Sequence, residues 1–116
     1  MSSVSNATIS APWGERNVGS PVSVPVEHGG RYLIIASNNY LTNNGTAPMS
    51  VGIRVSSGSN TNAVWQYVPP NSRVGQTWIT NLVADGSTLT IQRAAYASVT
   101  STLDSGGTPV TIIRIG

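Results

Sequence analysis

Valine, isoleucine and threonine supply thirty-four of the 116 residues, against five leucines and two glutamates. Side chains branched at Cβ lose rotamer freedom in a helix and pack well on a pleated surface, so this ratio directs the chain to β-structure. No stretch of ten or more residues carries a helical period, and Ala94 to Ser98 is too short to make one. A hydrophobic content of 39% gives enough apolar surface for one core, and the length gives room for one domain.

The order of apolar runs and turn signals locates the strands. Pro21 to Val26 alternates apolar and polar residues, and its two prolines cannot donate ladder hydrogen bonds, which places it at a sheet edge. His28-Gly29-Gly30 is a turn. Arg31 to Ala36 is apolar on both faces and reads as a central strand covered on each side. Asn38-Asn39 and Asn43-Asn44-Gly45 read as a polar loop. Met49, Val51, Ile53 and Val55 alternate with Ser50, Gly52, Arg54 and Ser56, a half-buried strand. Ser57-Gly58-Ser59-Asn60 turns the chain. Trp65 and Tyr67 share one face of the next strand, and Trp78, Thr80 and Leu82 oppose Ile79 in another. Asp85-Gly86 turns into Leu89-Thr90-Ile91, and Gly106-Gly107 leads to the last strand, Val110 to Ile115. About eight short strands separated by turn signals predict a sandwich or barrel. The expected core is Leu33, Ile35, Val51, Ile53, Trp65, Leu82, Leu89, Ile91 and Ile112. Residues 1–20, small and polar with Val4, Ile9 and Trp13 as isolated apolar points, read as an N-terminal arm or edge strand preceding a sandwich domain over 21–116.

Function is constrained most by the scarcity of charge. Six arginines, four carboxylates (Glu15, Glu27, Asp85, Asp104) and one histidine, His28, are the ionisable set; there is no lysine and no cysteine. Catalytic sites assemble such groups close enough to tune one another, and this chain has little material for one. His28 beside Glu27 reads as an exposed turn histidine, because sequence neighbours seldom give triad geometry. Asp85 and Asp104 sit next to Gly or Ser-Gly, where Asp serves turns, rather than forming a glycosidase pair. Zinc spacing is absent, and no window has the carboxylates of a calcium loop. The formal charge of +2 comes from six singly spaced arginines with no phosphate-tracking cluster, so no nucleic-acid partner is expected. No apolar run reaches the length of a membrane span. The expected protein is non-enzymatic, takes no cofactor and no metal, and is made in the cytoplasm, since its start lacks a secretion signal.

Gly30-Arg31-Tyr32 opens an apolar strand. A later strand ends at Leu82 and runs on into Ala84-Asp85-Gly86-Ser87-Thr88-Leu89-Thr90-Ile91, and an apolar strand closes the chain. Over roughly residues 22–116 this order resembles the jelly-roll domains of the tumour-necrosis-factor and C1q-like type, as used in small phage structural proteins. Asp85-Gly86 stands in the reverse of that family's Gly-Asp order. The resemblance implies an all-β jelly-roll sandwich and a homotrimer with the last strand near the threefold axis. It also implies a capsid decoration (cement) protein on the virion surface, with the major capsid protein as partner, or a fibre-tip module.

Three groups of residues are candidates for contact. With no lysine to guard strand edges, the chain is expected to bury surface against its own copies, through Trp78, Ile113 and Ile115. Val4, Ile9 and Trp13 are expected to dock the arm onto a neighbouring subunit or a capsid, Trp13 having no local core to enter. In the alternative reading, a lectin, Tyr40 stacks on a sugar while Asn38, Asn39 and Asn43 supply hydrogen bonds.

Overall fold

The computed structural model describes residues 4–9, 14–15, 22–96, 103–105 and 108–116, with side-chain environments over 22–37, 42–95 and 108–116. Ten strands follow one another: β1 (Val4–Ile9), β2 (Gly14–Glu15), β3 (Val22–Pro25), β4 (Arg31–Asn43), β5 (Met49–Ser57), β6 (Asn60–Val68), β7 (Ser72–Val83), β8 (Thr88–Tyr96), β9 (Leu103–Ser105) and β10 (Thr108–Arg114). They form two five-stranded sheets. One runs β1-β10-β4-β7 with β9 on β4; the other runs β2-β8-β5-β6 with β3 on β8. The chain crosses between sheets from β3 to β4, β4 to β5, β6 to β7 and β7 to β8, and stays in one sheet at the β5–β6 hairpin. That alternation is a jelly roll.

Local chemistry explains the turns. The hairpin loop between Ser57 and Asn60 has two residues, and Gly58 takes φ of 59° at the first of them, where a II′ turn requires glycine. A Cβ there would lie 2.0 Å from the Asp85 carbonyl oxygen, so the β7–β8 turn can close on the hairpin only over a glycine. The turn at 27–30 closes through Gly30 N–H on the Glu27 carbonyl at 3.0 Å. It is tied to the end of β7 by Gly29 N–H to Ala84 O and Ala84 N–H to Gly30 O, both 2.8 Å. β3, with Pro25 at its end, pairs only with β8, as a proline-bearing edge strand must.

The inward side chains of the two sheets make the core: Tyr32, Ile34 and Ala36 from β4, Trp78 and Leu82 from β7, Val110 and Ile112 from β10. Val51, Ile53, Val55, Leu89 and Ile91 face them from β5 and β8. Of the expected core, Val51, Ile53, Leu82, Leu89, Ile91 and Ile112 are buried. Leu33, Ile35 and Trp65 are not: they are half-exposed and face outward. In a run such as Tyr32 to Ala36, apolar at every position, hydropathy does not fix which parity turns inward, and a shift of one residue exchanges the faces.

A second difference lies in β4. Asn38 to Asn43 is strand, not loop. β4 runs the length of β7, with a register shift between Asn38↔Gln76 and Leu41↔Val74 that fits one extra residue on β4. A bulge lets a polar stretch remain in the ladder while bending it. Residues 4–9 of the expected arm are likewise in a sheet. β1 pairs along β10 from Thr108 to Ile113, with Val4 opposite Ile113 and Ile9 opposite Thr108, and β2 joins the other sheet in parallel with Ala94 and Ala95.

Candidate assembly surface

Three neighbouring strands of the first sheet present an aliphatic outer face. Register places Ile113 beside Leu33 and Leu33 beside Asn81; one row on, Thr111 lies beside Ile35 and Ile35 beside Ile79. Beyond Arg114 the chain stays against β4, Ile115 N–H donating to the Arg31 carbonyl at 2.8 Å, which brings Ile115 next to the same face. Ile79 is 58% exposed and Ile115 51%, while Leu33, Ile35 and Ile113 are half-exposed. The polar residues at its border are joined to each other, Arg31 Nη1 donating to Asn81 Oδ1 at 3.1 Å. The second face of Arg31 to Ala36, read from sequence as covered, is left half-exposed by the described residues.

Of the residues expected at a subunit contact, Ile113 and Ile115 are on this face. Trp78 is not. It is 1% exposed in the single chain and its ring fills the core between the sheets, so it has no surface to give a neighbour. Its neighbour Ile79, which the sequence already sets on the face opposite Trp78, takes the outward position, although it was not among the expected contact residues. Of the residues read as an arm or edge strand, Val4 and Ile9 lie in β1, their backbone paired with β10 in the chain's own sheet. Trp13 lies outside the described residues.

The glycan candidates Asn38, Asn39 and Tyr40 lie on β4 at the register shift. Asn43 is fully buried and its amide is spent on the following turn: Oδ1 accepts from Gly45 N–H at 2.9 Å, and Nδ2 donates to the Ala47 carbonyl at 2.8 Å. A longer contact, 3.4 Å, reaches the Val68 carbonyl. Asn43 therefore holds the 44–47 turn and offers nothing to a sugar.

The ionisable groups are drawn into structural contacts. Glu27 accepts from Arg114 Nη1 at 2.6 Å, which joins the β3–β4 turn to the end of β10 rather than orienting His28. The Asp85 carboxylate accepts the Ser59 hydroxyl at 2.5 Å and the Ser59 N–H at 3.0 Å. These bonds hold it below the usual carboxylate range, with a smaller contribution from the charge of His28. A nucleophilic serine needs its hydroxyl on the histidine. Here the hydroxyl is on the acid, so Ser59 and Asp85 form a turn clasp. Asp85 and Asp104 lie at opposite ends of the first sheet: Val83 pairs with Arg31 and Asp104 with Thr42. Eleven residues of β4 separate those rows, roughly 35 Å of strand at about 3.3 Å per residue, several times a glycosidase spacing. Inside the sandwich, Arg93 is buried with Nη1 3.4 Å from Thr108 Oγ1, and burial lowers its pKa.

No family model and no curated protein sequence matches the chain. Solved structures do match by fold. The globular domain of a zebrafish complement 1qA protein superposes with a TM-score of 0.54 at 9% identity, over 98% of this chain and 93% of that one. The STIV MCP, a viral capsid protein, aligns over 97% of this chain and 48% of its own, at 16% identity and a TM-score of 0.46. A structure of infectious bursal disease virus, Gx strain, aligns over 99% of this chain and 33% of its own, at 9% identity and 0.45. The chain has the jelly-roll β-sandwich fold of the C1q globular-domain type.

Proposed function

We propose that this protein is a non-enzymatic structural protein that forms a homotrimer through the outer face of β10, β4 and β7 and decorates a phage capsid as a cement protein. The observation that carries the reading is the aliphatic face itself. Ile79, more than half exposed at 58%, stands beside Leu33, Ile35, Ile113 and Ile115 in a chain with few charges to keep such a face in water. Contiguous exposed apolar area of this kind marks a contact surface. The trimeric count and the capsid partner follow from the resemblance of the sequence to phage jelly-roll proteins. The engagement of Glu27 with Arg114 and of Asp85 with Ser59 supports a non-catalytic role, because both carboxylates already serve turns.

Two measurements test this. Sedimentation velocity at micromolar concentration is expected to give a species of about three times the 12.1 kDa chain mass. Co-sedimentation with purified phage heads is expected to deplete the trimer from the supernatant. A monomer across the concentration range refutes the assembly. A trimer that binds fibres or cell surfaces but not heads moves the protein to a fibre tip.

A further inference from the structure

The opposite outer face, on β6, β5 and β8, is chemically unlike the first. Trp65 and Tyr67 both point outward from β6, about 7 Å apart along the strand by the spacing of alternate residues. Tyr67 is 57% exposed and Trp65 half-exposed. The residue paired with Trp65 on β5 is Gly52, and beyond it on β8 is Ala94. Both are small and are themselves buried, Ala94 completely. One row along, Arg54 and Gln92 face outward side by side. Arg54 forms no salt bridge and donates no side-chain hydrogen bond among the described residues, unlike Arg31 and Arg114.

We propose that this face binds an acidic oligosaccharide, with sugar rings stacked on Tyr67 and Trp65 and a sugar carboxylate held by Arg54. The chemistry is specific to that class. A pyranose has a flat face of C–H bonds that packs on an aromatic ring and a rim of hydroxyls that needs polar partners, and the row beyond the two rings supplies Gln92 and Arg54. A guanidinium with no partner among the described residues suits a carboxylate, which it grips through two parallel N–H bonds. A nucleic-acid strand would need a file of cations along its phosphates, and the row beside the aromatics holds a single arginine. A second copy of the chain would sooner meet the aliphatic face, which has no aromatic among its exposed residues. The site is distinct from Asn38, Asn39, Tyr40 and Asn43, which belong to the other sheet, and it is independent of the capsid reading.

The test uses the full chain and its Tyr67→Ala and Arg54→Gln variants, titrated calorimetrically with sialyllactose and a uronic-acid trimer. Lactose and a neutral glucan trimer serve as uncharged counterparts. Both positions face solvent, so unchanged circular dichroism and melting should show that the variants fold. The wild type is expected to bind an acidic probe more tightly than its neutral counterpart. Tyr67→Ala should weaken both by about tenfold, the loss of one stacked ring. Arg54→Gln should abolish the preference for acid while leaving neutral binding in place. Absence of binding to all four probes at millimolar concentration overturns the proposal. So does binding that neither variant alters, preferential binding of a single-stranded oligonucleotide, or a change in oligomeric state in Tyr67→Ala, which would make this face a subunit contact.

Discussion

Replacing Ile79 with Thr isolates the aliphatic face from the fold. Threonine keeps the Cβ branching that strands favour, so the strand is preserved. The substitution exchanges two carbons at an exposed tip for a hydroxyl. Ile79 is 58% exposed in the single chain, so those carbons meet water unless a neighbour covers them. At about 0.8 kcal/mol for each buried carbon, removing them costs the assembled state about 1–2 kcal/mol per chain, and about 3–5 kcal/mol over a trimer. The trimer association constant should then fall by about two to four powers of ten. Because the dissociation midpoint scales with the square root of that constant, it should rise by about 10- to 100-fold. A dilution series followed by sedimentation velocity reads this directly. Under conditions where both proteins are monomers, the melting temperature should stay the same. Trp78→Ala, one residue earlier, should do the reverse: its ring is in the core, and its loss should destabilise the monomer itself by about 3–5 kcal/mol. An Ile79→Thr midpoint within threefold of wild type, or a fall in monomer stability as large as that of Trp78→Ala, would refute the reading of this face.

Three further outcomes are expected. Gly52→Ala puts a Cβ 1.8 Å from the Val64 carbonyl oxygen, so β5 and β6 must part; denaturant titration should show a loss of at least about 3 kcal/mol, and an unchanged midpoint would contradict the strand geometry. Asn43→Ala removes the fully buried amide that holds the 44–47 turn and should cost about 1–3 kcal/mol in the same assay, without changing sugar or particle binding. Asp85 releases its proton more readily in the folded chain than unfolded, so its clasp on Ser59 contributes fully above the unfolded value near pH 4 and is lost as pH falls through the lower folded value. Asp85→Asn should therefore flatten the acid limb of a stability–pH curve below about pH 4, and an identical limb would remove Asp85 from that role.

How legible this fold was depended on whether a segment carried a pattern or only a composition. β5 alternates strictly, and its inward set, Val51 and Ile53, is read correctly from the sequence alone. β4 and β7 carry apolar residues on both faces. In them Leu33 and Ile35 changed places with Tyr32 and Ile34 as core, and Trp78, expected at a subunit contact, lies in the core while Ile79 faces outward. Nothing local decides such a parity: it is set by which residues of β10 and β7 lie across the ladder. The Asn38 to Asn43 segment was misread for a different reason. Asn and Gly counts signal a turn, but a twelve-residue partner strand, β7, recruits the segment into pairing through a bulge. Arg54 and Gln92 could not be joined to Trp65 and Tyr67 beforehand, because they come together only through pairings that are long in sequence.

A two-layer sandwich buries one face of each sheet against the other, so every outward residue must be explained by solvent or by a partner. In a chain with eleven ionisable groups, solvation cannot explain all of them. The first sheet turns isoleucines and a leucine outward; the second turns outward an indole, a phenol and a guanidinium that has no partner among the described residues. The two outer faces point away from each other across the sandwich. If copies close on the aliphatic face, the aromatic faces are turned outward and repeated about the symmetry axis. A single shallow saccharide site on a flat sheet binds weakly, since it encloses little of its ligand. Three such sites on one rigid trimer bind a repetitive surface polymer with avidity well beyond that of one, provided the polymer spans them. The two proposed faces are thus linked in consequence though separate in structure: closure on the first would multiply the weak sites of the second.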